Sequence, residues 1–258
     1  MKVVILAGGY GTRISEESHL KPKPMIEIGG KPIIWHIMKL YSHYGFNEFI
    51  VCCGYMQHVI KQWFANYYLY NCDVTFDFVN DNEMTIHNRD VENWRVTLID
   101  TGMNTGTGGR IKRIQQYIGN ETFMLTYGDG VSNVNINELL EIHQKNSATV
   151  TLTSAKIKQR FGVLSIDQNS RITSFREKSD NDSERVNAGF MIMEPGIFDY
   201  IENDSIYLEQ EPLEELAQEG KLFAYKFEGF WQPMDTMRDK NYLENLWQSG
   251  QAPWEVWK

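Results

Sequence analysis

The sequence predicts an α/β fold in which helices cover both faces of a mainly parallel, twisted sheet. Four apolar runs, VVILAG, EFIVCCG, VTLIDTG and FMLTYGDG, each have the pattern of a buried strand that ends in a glycine. One segment of helical periodicity lies between the first two runs, and another follows the second run. Strands that alternate with helices pair in parallel through right-handed crossovers, and ligands then bind at the carboxyl ends of the strands.

The clearest helix is predicted in the segment KPIIWHIMKLYSHYG, residues 31–45. Pro32 suits the first turn of a helix, and Gly45 suits the position where a helix ends. A second helix is predicted over HVIKQWFANYYL. The apolar residues that recur at helical spacing in the first segment are Ile33, Ile34, Ile37, Met38, Tyr41 and Tyr44.

Two regions of the chain predict β-rich insertions. Residues 74–101 show short alternating runs that are split by polar turns, and FGVLSID, RITSFREK and VNAGFMIMEP indicate a similar region near residues 160–190. INELLEIHQKN is predicted to be a helix that precedes the strand TVTLTSA. Because no repeat or linker interrupts the sequence, we expect one domain, residues 1–258, that carries both insertions.

The last helical stretch is RDKNYLENLWQSG. Its spacing predicts that Tyr242, Leu246 and Trp247 face inward. The three cysteines, Cys52, Cys53 and Cys72, lack the paired spacing of a disulfide framework or a zinc site. We therefore expect them to be reduced residues in or near the core.

Composition and charge restrict the classes of function. The chain has 258 residues, 42% hydrophobic residues and a formal net charge of -9, so no overall positive field attracts nucleic acid. No apolar run approaches the roughly 20 residues that span a bilayer, and the N-terminal segment lacks the pattern of a secretory leader. We expect a cytoplasmic protein with neither a nucleic-acid nor a membrane partner, in which local cations or a metal bind any anionic ligand.

The loop LAGGYGTR, residues 6–13, follows the first predicted strand. It is not a P-loop, because GxxxxGK[ST] is absent, and it fails the dinucleotide fingerprint, because Ile14 stands where the last glycine would fall. Two interpretations remain. The glycines form an ordinary tight turn, or they let backbone N–H groups approach a phosphate, a ribose or a base, with Arg13 at the edge of the loop.

The segment KPKPM, residues 21–25, places Lys23 between Pro22 and Pro24. A lysine on such a stiff backbone loses less entropy when it meets an anion. Arg13, Lys21 and Lys23 together are a candidate grip for a polyphosphate. The alternative is a surface loop whose lysines are simply solvated.

Two aspartates are candidate metal ligands. Asp129 in YGDG ends an apolar strand between Gly128 and Gly130, and Asp235 in GFWQPMDT follows another strand-like run. Magnesium takes one or two carboxylates together with substrate phosphates, so both residues suit it. An Asp-Gly turn explains the first pattern equally, and sequence spacing leaves open whether the two carboxylates converge.

Three further segments carry polar groups that a nucleotide or a sugar could use. TGTGGR, residues 105–110, precedes a predicted helix and could present hydroxyl and N–H donors at its start. Glu177 and Lys178, with Asn187 downstream, offer the mixture of donors and acceptors that sugar hydroxyls need. Taken alone, each segment is explained better by a structural role than by a functional one.

Taken in order, LAGGYGTR, KPKPM, YGDG, FREK, VNAGF and FWQPMDT resemble the signature set of the sugar-1-phosphate nucleotidylyltransferases over nearly the whole chain. IGGKPIIWHIMKLYSHYG, VCCGY, TGGRIKR and the terminal GQAPW are similar to the members of that family that use CTP and glucose 1-phosphate. The resemblance implies a Rossmann-like fold, Mg²⁺ as cofactor and an attack of the sugar phosphate on the α-phosphorus of CTP. It also implies a homo-oligomer, as the aromatic segment WFANYYLY suggests.

The resemblance implies roles for individual residues. Arg13, Lys23 and Asp129 would form the catalytic set, and Asp129 and Asp235 would bind the magnesium. Gly128 would leave room for the ligand, and Thr107, Gly109 and Arg110 would read the pyrimidine or its surroundings. Glucose would be bound by Glu177, Lys178, Asn187 and Gly189. The base, ribose and phosphates of the nucleotide would be bound by Leu6, Ala7, Gly8, Gly9, Tyr10, Gly11, Thr12 and Arg13.

The sequence departs from the family pattern at Ser179, where a proline commonly follows the equivalents of Glu177 and Lys178. This departure concerns the loop that follows Glu177 and Lys178, at the proposed sugar site, and not the segments that bind the phosphates. Two alternatives remain at this point. The same chemistry could use UTP or dTTP, since a few hydrogen bonds discriminate among pyrimidines. The chain could also be a regulatory subunit that binds a nucleotide sugar without turnover, although such a subunit has no need of both carboxylates and the phosphate grip.

Overall fold

A seven-stranded central sheet organises the computed structural model, which describes residues 1–87, 91–156, 163–166, 172–176 and 185–258. The strands in chain order are β1 Val3–Ala7, β2 Glu27–Ile28, β3 Lys31–Pro32, β4 Glu48–Cys53, β5 Asp73–Asp77, β6 Glu83–His87, β7 Arg95–Asp100, β8 Phe123–Tyr127, β9 Gly130–Ser132, β10 Val150–Lys156, β11 Val163–Ile166, β12 Ile172–Arg176, β13 Arg185–Met193, β14 Leu222–Lys226 and β15 Trp231–Pro233. The helices are α1 Ser15–Ser18, α2 Ile33–His43, α3 Gln57–Ala65, α4 Tyr67–Asn71, α5 Thr107–Arg113, α6 Gln115–Ile118, α7 Ile136–Asn146, α8 Glu211–Gln218 and α9 Met237–Gln248.

The strand order of the central sheet is β14-β10-β13-β8-β1-β4-β7. Strand β1 lies between β4 and β8 and is parallel to both, and β7 continues the parallel set at one edge. Strand β13 is antiparallel to both of its neighbours, β8 and β10, while β10 and β14 are parallel. The sheet is therefore mixed but mainly parallel, as the sequence predicts.

Both faces of the sheet are covered by apolar packing. On β1, Val3 and Ile5 belong to one buried cluster and Val4 belongs to the other, because alternate side chains of a strand point to opposite faces. Helix α2 packs on the first face and helices α5 and α6 on the second. This arrangement confirms the predicted helical layers, and it leaves the carboxyl ends of β1, β4, β7 and β8 at one edge of the sheet.

Short two-stranded sheets project from this framework. Strands β5 and β6 form one antiparallel hairpin, and β11 and β12 form another. Residues 95–100, within the first region of alternating runs, instead form the edge strand β7 of the central sheet.

The prediction for α9 needs one correction. Leu246 and Trp247 pack against the core as expected, but Tyr242 is 46% exposed and Leu243 is fully buried in its place. Residues 243, 246 and 247 are related by the three- and four-residue spacing of one helical stripe, and Tyr242 lies about 100° around the helix from Leu243. The expected cysteine environment is confirmed, since Cys52 and Cys53 are buried, Cys72 is half-buried and all three are free thiols.

Within the described ranges, no helix combines the length and the apolar character that a membrane crossing requires.

Candidate active site

A cleft of about 520 Å³ opens where β1 and β8 end. Most of its lining comes from segments that the sequence analysis selected. The lining residues are Leu6, Ala7, Gly8, Gly9, Tyr10, Gly11, Thr12, Lys23, Pro24, Met103, Asn104, Thr105, Thr107, Arg110, Tyr127, Gly128, Asp129 and Tyr207. Four sequence-distant parts of the chain thus meet at the carboxyl edge of the sheet, where parallel α/β folds bind ligands.

Lys23 lies between the two candidate metal ligands. Its Nζ donates to Oδ2 of Asp129 at 2.7 Å and to Oδ1 of Asp235 at 2.6 Å. The lysine is 8% exposed, whereas the side chains of Asp129 and Asp235 are 34% and 29% exposed. The two carboxylates therefore converge, which the sequence spacing left open, and a buried cation holds them together.

The convergence results from the pairing of β9 with β15. Gly130 is opposite Pro233 in this antiparallel pair, so Asp129 and Asp235 leave the ladder at the same end. The ladder is extended by the Met234 amide, which donates to the Asp129 carbonyl oxygen at 2.8 Å. Immediately afterwards, Thr236 begins α9 with a capping box, which fixes the backbone that follows Asp235.

The backbone on both sides of Lys23 is defined locally. Pro22 is extended, with φ -65° and ψ 150°, and residues 23–25 form one turn of 3-10 helix with Pro24 at its start. Burial lowers the pKa of Lys23, but the neighbouring charges and hydrogen bonds of Asp129 and Asp235 outweigh it and raise that pKa above its ordinary value. Lys23 is therefore charged throughout the physiological pH range.

Lys21 makes a different contact from Lys23. Its Nζ donates to Oε1 of Glu27 at 2.9 Å, in a partly exposed ion pair. In this structure Lys21 is therefore paired with Glu27 and not with the carboxylates of the cleft.

Arg110 holds the glycine-rich loop from below. The residue is 4% exposed, and its guanidinium donates to the carbonyl oxygen of Gly8 at 3.1 Å, to that of Gly102 at 2.7 Å and to the hydroxyl of Thr101 at 2.8 Å. Weaker contacts reach the carbonyl oxygens of Cys53 and Met103. The guanidinium thus donates to oxygens at the ends of three neighbouring strands, β1, β4 and β7. Arg110 therefore orders the floor of the cleft.

Thr107 is part of a chain of polar contacts that crosses the cleft. Glu209 accepts hydrogen bonds from the hydroxyls of Thr107 and Tyr127, and the Asn187 side-chain amide donates to the Tyr127 hydroxyl at 3.4 Å. Burial, and then the charge of Glu209, raise the pKa of Tyr127 far above its ordinary value, so its hydroxyl stays protonated. Gly189 packs under the same ring, because a Cβ there would meet Cδ2 of Tyr127 at 2.3 Å. This series of polar contacts connects the start of α5 with β13.

Gly109 has a packing role in this structure. A Cβ at this position would meet the backbone of Asp204 at 2.3 Å, and the Gly109 amide donates to the Ile206 carbonyl oxygen at 3.2 Å. The glycine lets α5 lie directly against residues 204–206, which also bring Tyr207 to the cleft.

Some of the expected site residues lie outside what the structure describes. Glu177, Lys178 and Ser179 fall outside the described residues, so the sugar site that includes them stays a prediction. For Arg13 the backbone is described, in a 3-10 helix that begins with the cleft-lining Thr12, but the side chain is not.

Several residues of the cleft did not emerge from the sequence. Met103 and Asn104 follow β7, and the rule that ligands bind at carboxyl strand ends could have identified them. Asn104 accepts a hydrogen bond from the Tyr10 hydroxyl at 2.6 Å, which links two sides of the cleft. Tyr207 and Glu209 come from an irregular segment whose sequence carries no motif.

Comparisons with known proteins agree with this geometry. The family model described as "Nucleotidyl transferase" matches residues 2–244. The chain is 52% identical over 259 residues, the full length of both proteins, to "Glucose-1-phosphate cytidylyltransferase" of Salmonella typhi. It is 42% identical, again over both full lengths, to "Probable glucose-1-phosphate cytidylyltransferase" of Bacillus subtilis.

Solved structures show the same fold. The crystal structure of HddC from Yersinia pseudotuberculosis superposes with a TM-score of 0.69 and covers 95% of this chain and 99% of its own. Its sequence identity is 23%, so the likeness establishes the fold alone.

Proposed function

The chain belongs to the nucleotidyl transferase family, and on that premise we propose that it is a glucose-1-phosphate cytidylyltransferase. The observation that carries this proposal is the 52% identity over the full length of a curated protein of that name. The cleft supports it, because a glycine-rich rim, a buried lysine and two carboxylates meet in one place. The same match does not favour a UTP-dependent or dTTP-dependent enzyme, or a subunit that only binds.

The proposed reaction is a single displacement. A phosphate oxygen of α-D-glucose 1-phosphate attacks the α-phosphorus of CTP, and the bond from that phosphorus to the oxygen bridging to the β-phosphorus breaks. CDP-glucose forms and pyrophosphate leaves with the electron pair of the broken bond. Because no proton must be removed from the attacking phosphate, the work of the protein is to position two anions and to offset their repulsion.

We assign the nucleotide to the cleft described above. Gly8 and Gly9 bring backbone to its surface, and a Cβ at position 9 would have no described atom within 4 Å, which leaves space for a ligand. The ammonium of Lys23 is the charged group of the described cleft best placed to neutralise the reacting phosphates. The residues proposed to bind the nucleotide are Leu6, Ala7, Gly8, Gly9, Tyr10, Gly11, Thr12, Arg13, Lys23, Thr107 and Gly128, with Gly109 and Arg110 supporting them from behind.

We assign the sugar to the Asn187 end of the series of polar contacts that begins at Thr107. Asn187 and Gly189 adjoin Tyr127, which lines the cleft, so a glucose bound there would lie beside the nucleotide phosphates. Glu177 and Lys178 complete this part of the proposal on the family resemblance alone.

The donor set suits a divalent metal of the magnesium class. The oxygens of Asp129 and Asp235 both contact one ammonium, so they already surround a cation. Two carboxylates with phosphate oxygens to complete the shell are a typical magnesium environment. We propose Mg²⁺ held by Asp129 and Asp235, where it would supply charge neutralisation to the departing pyrophosphate.

We also propose that the protein acts in the cytoplasm as a homo-oligomer. The hairpin of β5 and β6 exposes Phe76, Phe78, Val79 and Met84, which are 50%, 79%, 91% and 51% accessible. Clustered exposed apolar side chains are typical of interaction surfaces, and a second copy of the chain is the partner we propose. Light scattering on the purified protein tests this, and a monomer at all concentrations would contradict it.

The function is tested by pyrophosphate release from the purified protein with Mg²⁺ and glucose 1-phosphate. CTP, UTP, dTTP, ATP and GTP are offered in separate reactions. We expect CTP to be strongly preferred. A preference for UTP or dTTP would support the proposed chemistry and contradict the assignment of CTP as the nucleotide. Failure to release pyrophosphate with any of the five nucleotides would contradict the proposed reaction.

A further inference from the structure

We propose that Lys23 is a cation gate. In the ligand-free protein its ammonium occupies the space between Asp129 and Asp235, and it excludes a free divalent cation until nucleotide phosphates draw the ammonium away. The inference rests on the proposed function for the identity of the two metal ligands. It adds an order of events, in which the metal binds together with the nucleotide and not before it.

The contacts of Lys23 carry this inference. Its Nζ lies 2.7 Å from an oxygen of Asp129 and 2.6 Å from an oxygen of Asp235, so one ammonium bridges both carboxylates. A divalent cation that used both carboxylates would need the same space. The flanking prolines and the turn over residues 23–25 hold the lysine backbone in position, which keeps the ammonium within reach of both carboxylates.

The charges of the three groups explain the competition. The ammonium of Lys23 cancels about one of the two carboxylate charges of Asp129 and Asp235, which weakens their attraction for a divalent ion. Without the ammonium the pair would carry about -2 in a partly buried place, where charges are screened less than at the surface. Removing the positive charge at position 23 should therefore strengthen the binding of a free divalent cation.

The number of available ligands points in the same direction. Within the described part of the chain, no group of three or more His, Cys, Asp or Glu side chains could hold a metal ion. Two carboxylates alone leave most of a six-coordinate shell to water or to phosphate oxygens. Nucleotide phosphates supply the missing oxygens and at the same time offer the ammonium of Lys23 a new partner, so both requirements are met in one step.

The experiment measures Mn²⁺ binding by electron paramagnetic resonance, without nucleotide, in the wild type and in Lys23→Met. Methionine keeps much of the length of the side chain without its charge. We expect Lys23→Met to bind Mn²⁺ more tightly by about tenfold or more. Lys21→Met, which removes a nearby partly exposed lysine, is the matched control and should change the affinity by less than about twofold.

Two further measurements locate the tighter Mn²⁺ site and link it to the nucleotide. Adding Asp129→Asn to Lys23→Met should abolish the gain, which shows that the tight site is the one between the carboxylates. Adding CTP should tighten Mn²⁺ binding to the wild type far more than to Lys23→Met. Equal or weaker binding in Lys23→Met without nucleotide overturns the gate.

The wild type alone can also overturn the proposal. Should Lys23→Met fail to fold, as circular dichroism would show, Lys23→Gln replaces it. Independently of both variants, wild-type protein that binds Mn²⁺ equally well with and without CTP has no gate. Pyrophosphate release by the wild type is measured separately, so loss of the proposed reaction and loss of the gate are distinguishable outcomes.

Discussion

The guanidinium of Arg110 and the backbone of Gly8 are in direct contact beneath the cleft. Nη2 of Arg110 donates to the Gly8 carbonyl oxygen at 3.1 Å, and a Cβ at position 8 would lie 2.1 Å from Nη1. The second glycine of the loop, Gly9, has no such neighbour among the described atoms. Two adjacent glycines thus have different functions, since Gly8 admits a buried cation and Gly9 faces open space.

Gly8→Ala is expected to destabilise the protein by about 1–3 kcal/mol, because the guanidinium is held by several carbonyl oxygens and has no free direction in which to move. Gly9→Ala is the matched control and should leave the free energy of unfolding nearly unchanged. Urea denaturation of both variants measures the difference. Equal stabilities would show that the Arg110 side chain can relocate without cost.

Arg110→Lys is expected to reduce stability by about 2 kcal/mol or more and to raise the KM for CTP, because Arg110 reaches the oxygens of Gly8, Gly102 and Thr101 from two separate nitrogens and an ammonium has only one. The control is Arg113→Lys on the same helix, where Arg113 forms an exposed ion pair with Asp204. This control should change little. Denaturation and steady-state kinetics test both variants, and wild-type behaviour of Arg110→Lys would show that Arg110 does not order the floor of the cleft.

Asp129→Ala is expected to lower kcat by about 100-fold or more while the fold is retained, because it removes one of the two proposed metal ligands. Asp100→Ala is the control, since Asp100 ends the neighbouring parallel strand β7 but does not line the cleft. That control should stay within about twofold of the wild type. Pyrophosphate release measures both, and unchanged kcat in Asp129→Ala would remove the metal assignment.

Glu209→Gln is expected to raise the KM for glucose 1-phosphate by about tenfold, because the two hydroxyls donate to different oxygens of Glu209 and an amide offers only one oxygen. Tyr127 would then lose its orientation toward Asn187. Glu202→Gln, an exposed charge-matched change in the same segment, serves as the control. A KM effect confined to CTP, or none, would separate Glu209 from the sugar end of the cleft.

His36 predicts a specific pH dependence of stability. Burial lowers its pKa from 6.5 to about 4, and its contacts fit a neutral ring, since Nε2 lies 2.9 Å from the Ile28 carbonyl oxygen and Nδ1 accepts from the Trp254 indole at 3.3 Å. A second ring proton would oppose the Trp254 donor.

The folded protein therefore binds this proton less readily than the unfolded chain. The contribution of His36 is complete above about pH 6.5 and is lost as the pH falls toward 4, with a slope of about 1.4 kcal/mol per pH unit. Urea midpoints of the wild type and of His36→Gln, compared between pH 4.5 and 7.5, isolate this slope. Parallel curves for the two proteins would contradict the assignment.

Local sequence patterns predicted the elements because they depend on neighbours along the chain. The strand that ends at Gly8, the helix between Pro32 and Gly45, and the stiff backbone around Lys23 all follow from spacing and from the backbone preferences of glycine and proline. The exception, Tyr242, reflects a small error of phase. A helical stripe is about 100° wide, and a rotation by one residue moves a side chain out of it.

The sequence by itself determined the fold class, the glycine-rich loop and the candidate carboxylates, since each is a property of residue type and short-range order. Only the tertiary structure decided that Asp129 and Asp235 meet around Lys23, because that depends on the register of β9 against β15 across about one hundred residues of chain. The structure also decided that the guanidinium of Arg110 donates hydrogen bonds to backbone oxygens, and that Glu209 accepts hydrogen bonds from both Thr107 and Tyr127. Contacts between distant segments depend on packing free energy summed over the whole chain, and no short motif records that sum.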